Sequence, residues 1–146
     1  MAGEKIDTKL RLSLREGTVY YFTHHTITSP EPHYFIVVNQ DPLTQKVLLL
    51  AVVTSKIEKA KLRRKECLET LVEMDEKSFD VLTKPSIVDC NDLKEIHLTD
   101  FNARFAANEI KYFDKDLSAV LRKALRKAIH ASTILSDEMK SLVAKP

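Results

Sequence analysis

Two nearly unbroken apolar stretches, separated by six residues, constrain this chain more than any other feature. Residues 33–39 (HYFIVVN) and 46–54 (KVLLLAVVT) are rich in β-branched and aromatic side chains, and residues 40–45 (QDPLTQ) place an Asp-Pro turn between them. The pattern predicts a β-hairpin. A hairpin with one wet face alternates apolar and polar residues, so continuous runs call for cover on both faces of the sheet. Residues 18–23 (TVYYFT), following Gly17, read as an earlier strand, and residues 70–74 (TLVEM) and 86–90 (SIVDC) as later ones. Between the first two strands, residues 24–32 (HHTITSPEP) carry two prolines and read as a loop. Residues 75–82 predict a short helix capped by Asp75, with Phe79 and Leu82 facing inward. The opening is ambiguous: Leu10, Leu12 and Leu14 alternate as in a strand, whereas Ile6, Leu10 and Leu14 also share one helical face.

Beyond residue 98 the period changes. Residues 99–107 predict a helix capped by Thr99, and Leu117, Val120, Leu121, Ala124, Leu125 and Ala128 follow a 3.6-residue repeat from 116 to about 130. Arg122, Lys123, Arg126 and Lys127 then fall on the opposite, solvent-facing side. Strands first and helices late describe an α+β fold, a small barrel or curled sheet with helices added. A chain of 146 residues with 44% apolar and 30% charged residues is expected to form one compact domain, neither disordered nor fibrous. The longest apolar run, residues 47–53, is far short of the roughly 20 residues that span a bilayer. The polar first fifteen residues do not resemble a signal peptide. A soluble, cytoplasmic protein with no membrane partner is expected, and Cys67 and Cys90, isolated thiols without metal spacing, are expected to be free.

Net charge is only +2, yet it is segregated. Residues 56–65 (KIEKAKLRRK) carry six cations against Glu58, while residues 66–110 carry eleven acidic groups and four basic ones. The basic stretch predicts an exposed, mobile loop, able to line a phosphate-binding groove or simply to be solvated. Thr54-Ser55-Lys56 stands where the strongest strand ends; its hydroxyls and cation suit a phosphate, or else the hydroxyls satisfy strand-end backbone groups. His24, His25 and His33 supply groups that titrate near neutrality for acid–base work, or border a cleft without a role. Adjacent histidines on an extended chain point apart, so His24 and His25 do not suggest a shared metal, and no metal site is expected. Tyr20, Tyr21, Tyr34 and Phe35 suit base stacking or burial equally. Two glycines cannot build a phosphate loop, no GxSxG elbow exists, and no cofactor is expected.

The order of these segments resembles the MazF/PemK toxin family. Residues 17–22 (GTVYYF) are similar to that family's opening strand, residues 32–38 (PHYFIVV) to its second, and residues 48–54 with Ser55 to a third strand ending in a Thr-Ser pair. Residues 69–73 and 82–88 (LTKPSIV) are similar to its later "HVEI" and "L-x-K-x-S-V-V" segments, so the likeness covers roughly residues 15–98. It implies an SH3-like β-barrel over residues 1–98, followed by a helical extension over residues 99–146 that packs on the barrel or on a partner. It further implies a homodimer, an antitoxin protein as partner, and metal-independent endoribonuclease activity on single-stranded RNA. In the family an arginine near the start of the second strand works with the hydroxyl that ends the third. Thr54 and Ser55 match the hydroxyl element; Glu31, Pro32 and His33 stand where the arginine is expected. Either His33 replaces that arginine as acid or base, or a basic residue such as Lys56 or Arg63 reaches the scissile phosphate, or the site is dead; the expected catalytic set is His33, Thr54 and Ser55, with His24, His25, Lys56, Lys59, Lys61, Arg63 and Arg64 on the RNA. The alternative is a catalytically silent barrel of the same fold that binds protein or nucleic acid.

Overall fold

A computed structural model describes residues 5–25, 31–113 and 115–146 of the chain. Among the described residues six antiparallel strands form one sheet: β1 (Val19–Phe22), β2 (His33–Val37), β3 (Val47–Thr54), β4 (Leu71–Met74), β5 (Ser86–His97) and β6 (Lys111–Tyr112). Their order across the sheet is β4-β5-β3-β2-β1-β6. The expected hairpin pairs Tyr34 with Val53 through to Val37 with Leu50. Its connection is not a simple turn. Asp41 caps a one-turn helix, α2 (Pro42–Gln45); the other helices are α1 (Thr8–Ser13), α3 (Ile57–Arg63), α4 (Leu98–Ala106), α5 (Ala119–Ala131) and α6 (Asp137–Ser141). Helix α2 starts on Pro42 and closes on Lys46 in the left-handed region, at φ 60°. The Asn39 amide then pins the hairpin, donating to the Val47 carbonyl at 2.7 Å and accepting from the Leu49 N–H at 3.0 Å.

Both faces of the sheet are covered, as the unbroken apolar runs require. Leu48, Leu50, Phe35, Phe22 and Tyr20 pack beneath Leu10 of α1 and Phe101 and Phe105 of α4. Leu49, Ala51, Val53, Ile36 and Val19 face the other way, toward Leu125, Ala128 and Ile129 of α5. Alternate residues of one strand therefore serve two cores. The ambiguous opening is helical: the Asp7 side chain accepts from the N–H groups of Lys9 and Leu10, and Ile6, Leu10 and Leu14 are buried while Leu12 is 73% exposed.

Several expectations fail for identifiable reasons. The sheet is not closed into a barrel; β4 and β6 are its two edges, and the SH3-like closure implied by resemblance is replaced by an open sheet between helical layers. Residues 75–82 form turns instead of a helix. Asp75 accepts from the N–H groups of Lys77 and Ser78, a local arrangement that competes with helix, and Phe79 and Leu82 are still buried. Helix α4 begins at Leu98, so Thr99 lies inside it and is not its cap. Strand β5 runs on to His97 through polar residues, because it continues to pair with β3 as far as Val47. The tail is not wholly helical either, since Lys111 and Tyr112 return to pair with β1. Cys67 and Cys90 are free.

The basic stripe of α5 is only partly in solvent. Arg126 grips Glu16 through two nitrogens, and the Arg122 stem lies across Gly17, its Nε buried without a partner among the described residues. Gly17 has φ 94°, and a Cβ there would stand 2.7 Å from Arg122 Cδ. A Gly17→Ala variant is expected to lose about 1–2 kcal/mol from backbone strain and displacement of Arg122. Urea unfolding checks this; an unchanged midpoint would mean the junction before β1 relaxes without cost.

Candidate functional site

Register brings part of the expected set together. Phe22 pairs with His33, and Tyr34 pairs with Val53, so His33 stands level with Thr54 one step further along the hairpin. Strand alternation puts Phe22, His33, Phe35 and Thr54 on the face that α4 covers further along. Thr54 and His33 are both half-buried. His33 Nδ1 lies 3.0 Å from the Glu31 carbonyl oxygen. A carbonyl only accepts, so Nδ1 carries the proton and, in the neutral ring, Nε2 carries the lone pair. Thr54 Oγ1 accepts from the Lys56 N–H at 3.2 Å, the strand-end bond that the sequence also suggested, and keeps its own proton to donate. Ser55 and Lys56 are exposed just beyond.

His24 and His25 do not point apart. The chain leaves the extended conformation after β1, and the two rings stack with centroids 4.6 Å apart. His24 also lies 6.1 Å from the Phe35 ring. Burial, and then the positive charges of His25, Lys94 and Arg104, hold His24 below its ordinary value of 6.5. Two cations that the sequence did not single out therefore reach this corner: Lys94 from β5 and Arg104 from α4. The Arg104 guanidinium sits 5.1 Å above the Phe22 ring. Among the described residues no three His, Cys, Asp or Glu side chains converge as metal ligands. Residues 26–30, which make up most of the loop expected over residues 24–32, lie outside the described residues.

Because unfolded His24 binds its proton at higher pH than folded His24, its contribution to stability is present above 6.5 and is lost as pH falls toward the lower folded value. Thermal melts between about pH 7.5 and 5.5 should therefore show a decline that His24→Gln flattens. An identical decline in both proteins would place the linkage elsewhere.

The basic stretch is where sequence and structure part most clearly. It is not a mobile loop but helix α3, which packs Ala60 inward at 1% exposure. Its cations turn to acids on β4 and β5, on the side of β3 away from β1. Arg64 Nε bonds Asp89 at 2.9 Å, Arg63 lies 3.6 Å from the same carboxylate, and Lys61 reaches Glu73 at 3.1 Å. Lys56, Lys59 and Lys65 are exposed. The physical cause is Asp89, a carboxylate only 7% exposed that a cation must neutralise. The aromatic candidates also divide. Tyr20 and Phe35 are fully buried, while Tyr21 and Tyr34 pack on each other at 4.6 Å on the opposite face.

Compared with known proteins, the chain matches no family model and no curated protein.

Proposed function

We propose that the protein is a MazF/PemK-like relative with an opened sheet, acting on single-stranded RNA at the corner where β1, β2 and β3 end. The observation that supports this best is the placement of His33, its Nδ1 held by Glu31, level with Thr54 and on one sheet face with the His24–His25 stack. RNA cleavage by internal transesterification needs a base, an acid and groups that stabilise the phosphorane. In this reading His33 Nε2 takes the 2′-hydroxyl proton, and the 2′ oxygen attacks phosphorus as the bond to the 5′ oxygen breaks. The His24–His25 pair returns a proton to that oxygen, and the Thr54 and Ser55 hydroxyls donate to the non-bridging oxygens. The products are a 2′,3′-cyclic phosphate and a 5′-hydroxyl. Toxicity, restraint by an antitoxin and homodimerisation belong to the same reading.

A silent binding module is favoured by a different observation: Glu31, Pro32 and His33 replace the family's arginine, and the Thr54 hydroxyl already serves Lys56 N–H. One assay separates the two. A 5′-labelled single-stranded RNA incubated with the protein, with and without EDTA, should yield cyclic-phosphate fragments in both cases. Binding without cleavage would select a silent module for nucleic acid, and neither binding nor cleavage would overturn any action on RNA and leave a module that binds protein.

A further inference from the structure

We propose that Lys94 and Arg104, on the same sheet face as the His24–His25 stack, form a phosphate-binding site that holds the RNA backbone in place of Arg63 and Arg64. The RNA assignment rests on the function proposed above; the phosphate site does not.

The choice between the two sets of cations follows from what each would leave behind. A phosphate that draws Arg64 away from Asp89 strands a carboxylate that is 7% exposed, and a buried charge left unpaired is strongly unfavourable. Arg63 shares that carboxylate. Lys94 and Arg104 are paired differently. Lys94 bonds Asp92 at 3.0 Å and Arg104 bonds Glu109 at 3.2 Å, and these two carboxylates are 52% and 54% exposed. Solvent-facing pairs of this kind contribute little, and water readily takes over the released carboxylate. An incoming phosphate therefore competes with water-exposed partners at Lys94 and Arg104, but with a buried one at Arg64.

Placement agrees. Lys94 is level with Leu50, on the sheet face shared with Phe35 and Phe22, and its own exposure is low at 16%. Arg104 projects from α4 over Phe22 on the same face. The positive charge of both reaches His24, whose ring rests toward Phe35. Both cations thus lie on the sheet face of the stacked imidazole pair, over an aromatic floor, and both act on His24. Arg104 suits bidentate bonding to phosphate oxygens, Lys94 adds a point charge, and the exposed face of His25 offers a plane for a base.

The test measures binding of a short single-stranded RNA and of inorganic pyrophosphate across a salt series, for the parent, a Lys94→Gln/Arg104→Gln variant and a Lys123→Gln/Lys127→Gln variant with the same charge loss on α5. Melting curves first establish that each is folded. The parent should bind both ligands. Losing two phosphate contacts should lower the RNA salt slope by about 1.4, at roughly 0.7 per contact on a single strand, and abolish pyrophosphate binding. The α5 variant should keep the parent slope. RNA binding with an unchanged slope in Lys94→Gln/Arg104→Gln would overturn the site while leaving the proposed function standing. Pyrophosphate binding lost in that variant, with no RNA binding by the parent, would support the site and sink the RNA reading. A parent that binds neither ligand overturns both.

Discussion

Under the function proposed above, replacing His33 with alanine should slow RNA cleavage by about 10²–10⁴-fold, the range typical of losing a general acid or base. The size of the effect follows from position as much as from chemistry. Glu31 fixes the ring through Nδ1, the pairing of β1 with β2 fixes its height, and the hairpin sets Thr54 beside it. Little reorganisation then remains when substrate binds. His33 is half-buried, so alanine removes the imidazole from a position that water already reaches. Binding of uncleaved RNA should change far less than turnover. Single-turnover rates at saturating enzyme measure this, and cleavage at the parent rate would assign His33 to structure.

The second large effect concerns stability. Asp89→Ala should cost about 3 kcal/mol, near the low end for breaking a buried ion pair because Arg64 keeps 20% exposure. Asp89 does more than neutralise Arg64. Its Oδ1 accepts from the Asn91 N–H at 3.0 Å and from Asn91 Nδ2 at 2.9 Å. Asn91 Nδ2 also donates to Thr70 Oγ1, and Asn91 Oδ1 accepts from the Ser132 hydroxyl. The carboxylate therefore ties α3, β5, the turn before β4 and the end of α5 into one buried network, whose donors would be left without a partner. For a domain of this size the melting temperature should fall by about 6–12 °C. Glu73→Ala, which breaks only the exposed pair with Lys61, should change stability by no more than about 0.5 kcal/mol. Similar losses in both variants would contradict the network.

Local features carried most of what could be read in advance. The apolar runs around Ile36 and Leu49 announced a hairpin covered on both faces, and the 3.6-residue repeat through Leu125 and Ala128 announced α5. Boundaries decided by distant partners were not legible. Strand β5 continues through Asp92, Lys94 and Glu95 because β3 is there to pair with it, not because those residues favour strand. The stretch 56–65 looked like a free basic loop because its acids, Glu73 and Asp89, follow at separations that charge counting does not connect. The same counting hid Lys94 and Arg104, two cations inside the most acidic part of the chain. His33 and Thr54 were legible as neighbours, since a hairpin register relates them directly. The stacking of His24 on His25 was not, because it depends on where the chain bends after Phe22.

The five histidines offer the most direct test of the site. His24, His25 and His33 lie at the corner where β1 to β3 end, whereas His97 pairs with Val47 at the far end of β3, and His130 on α5 bonds the Ala144 carbonyl. Imidazole resonances, assigned by single substitutions, would be followed by NMR during titration with a single-stranded oligoribonucleotide. The signals of His24, His25 and His33 should shift together and saturably while those of His97 and His130 stay in place. Shifts confined to His97 or His130, or no saturable shift at any histidine, would contradict an RNA site at that corner.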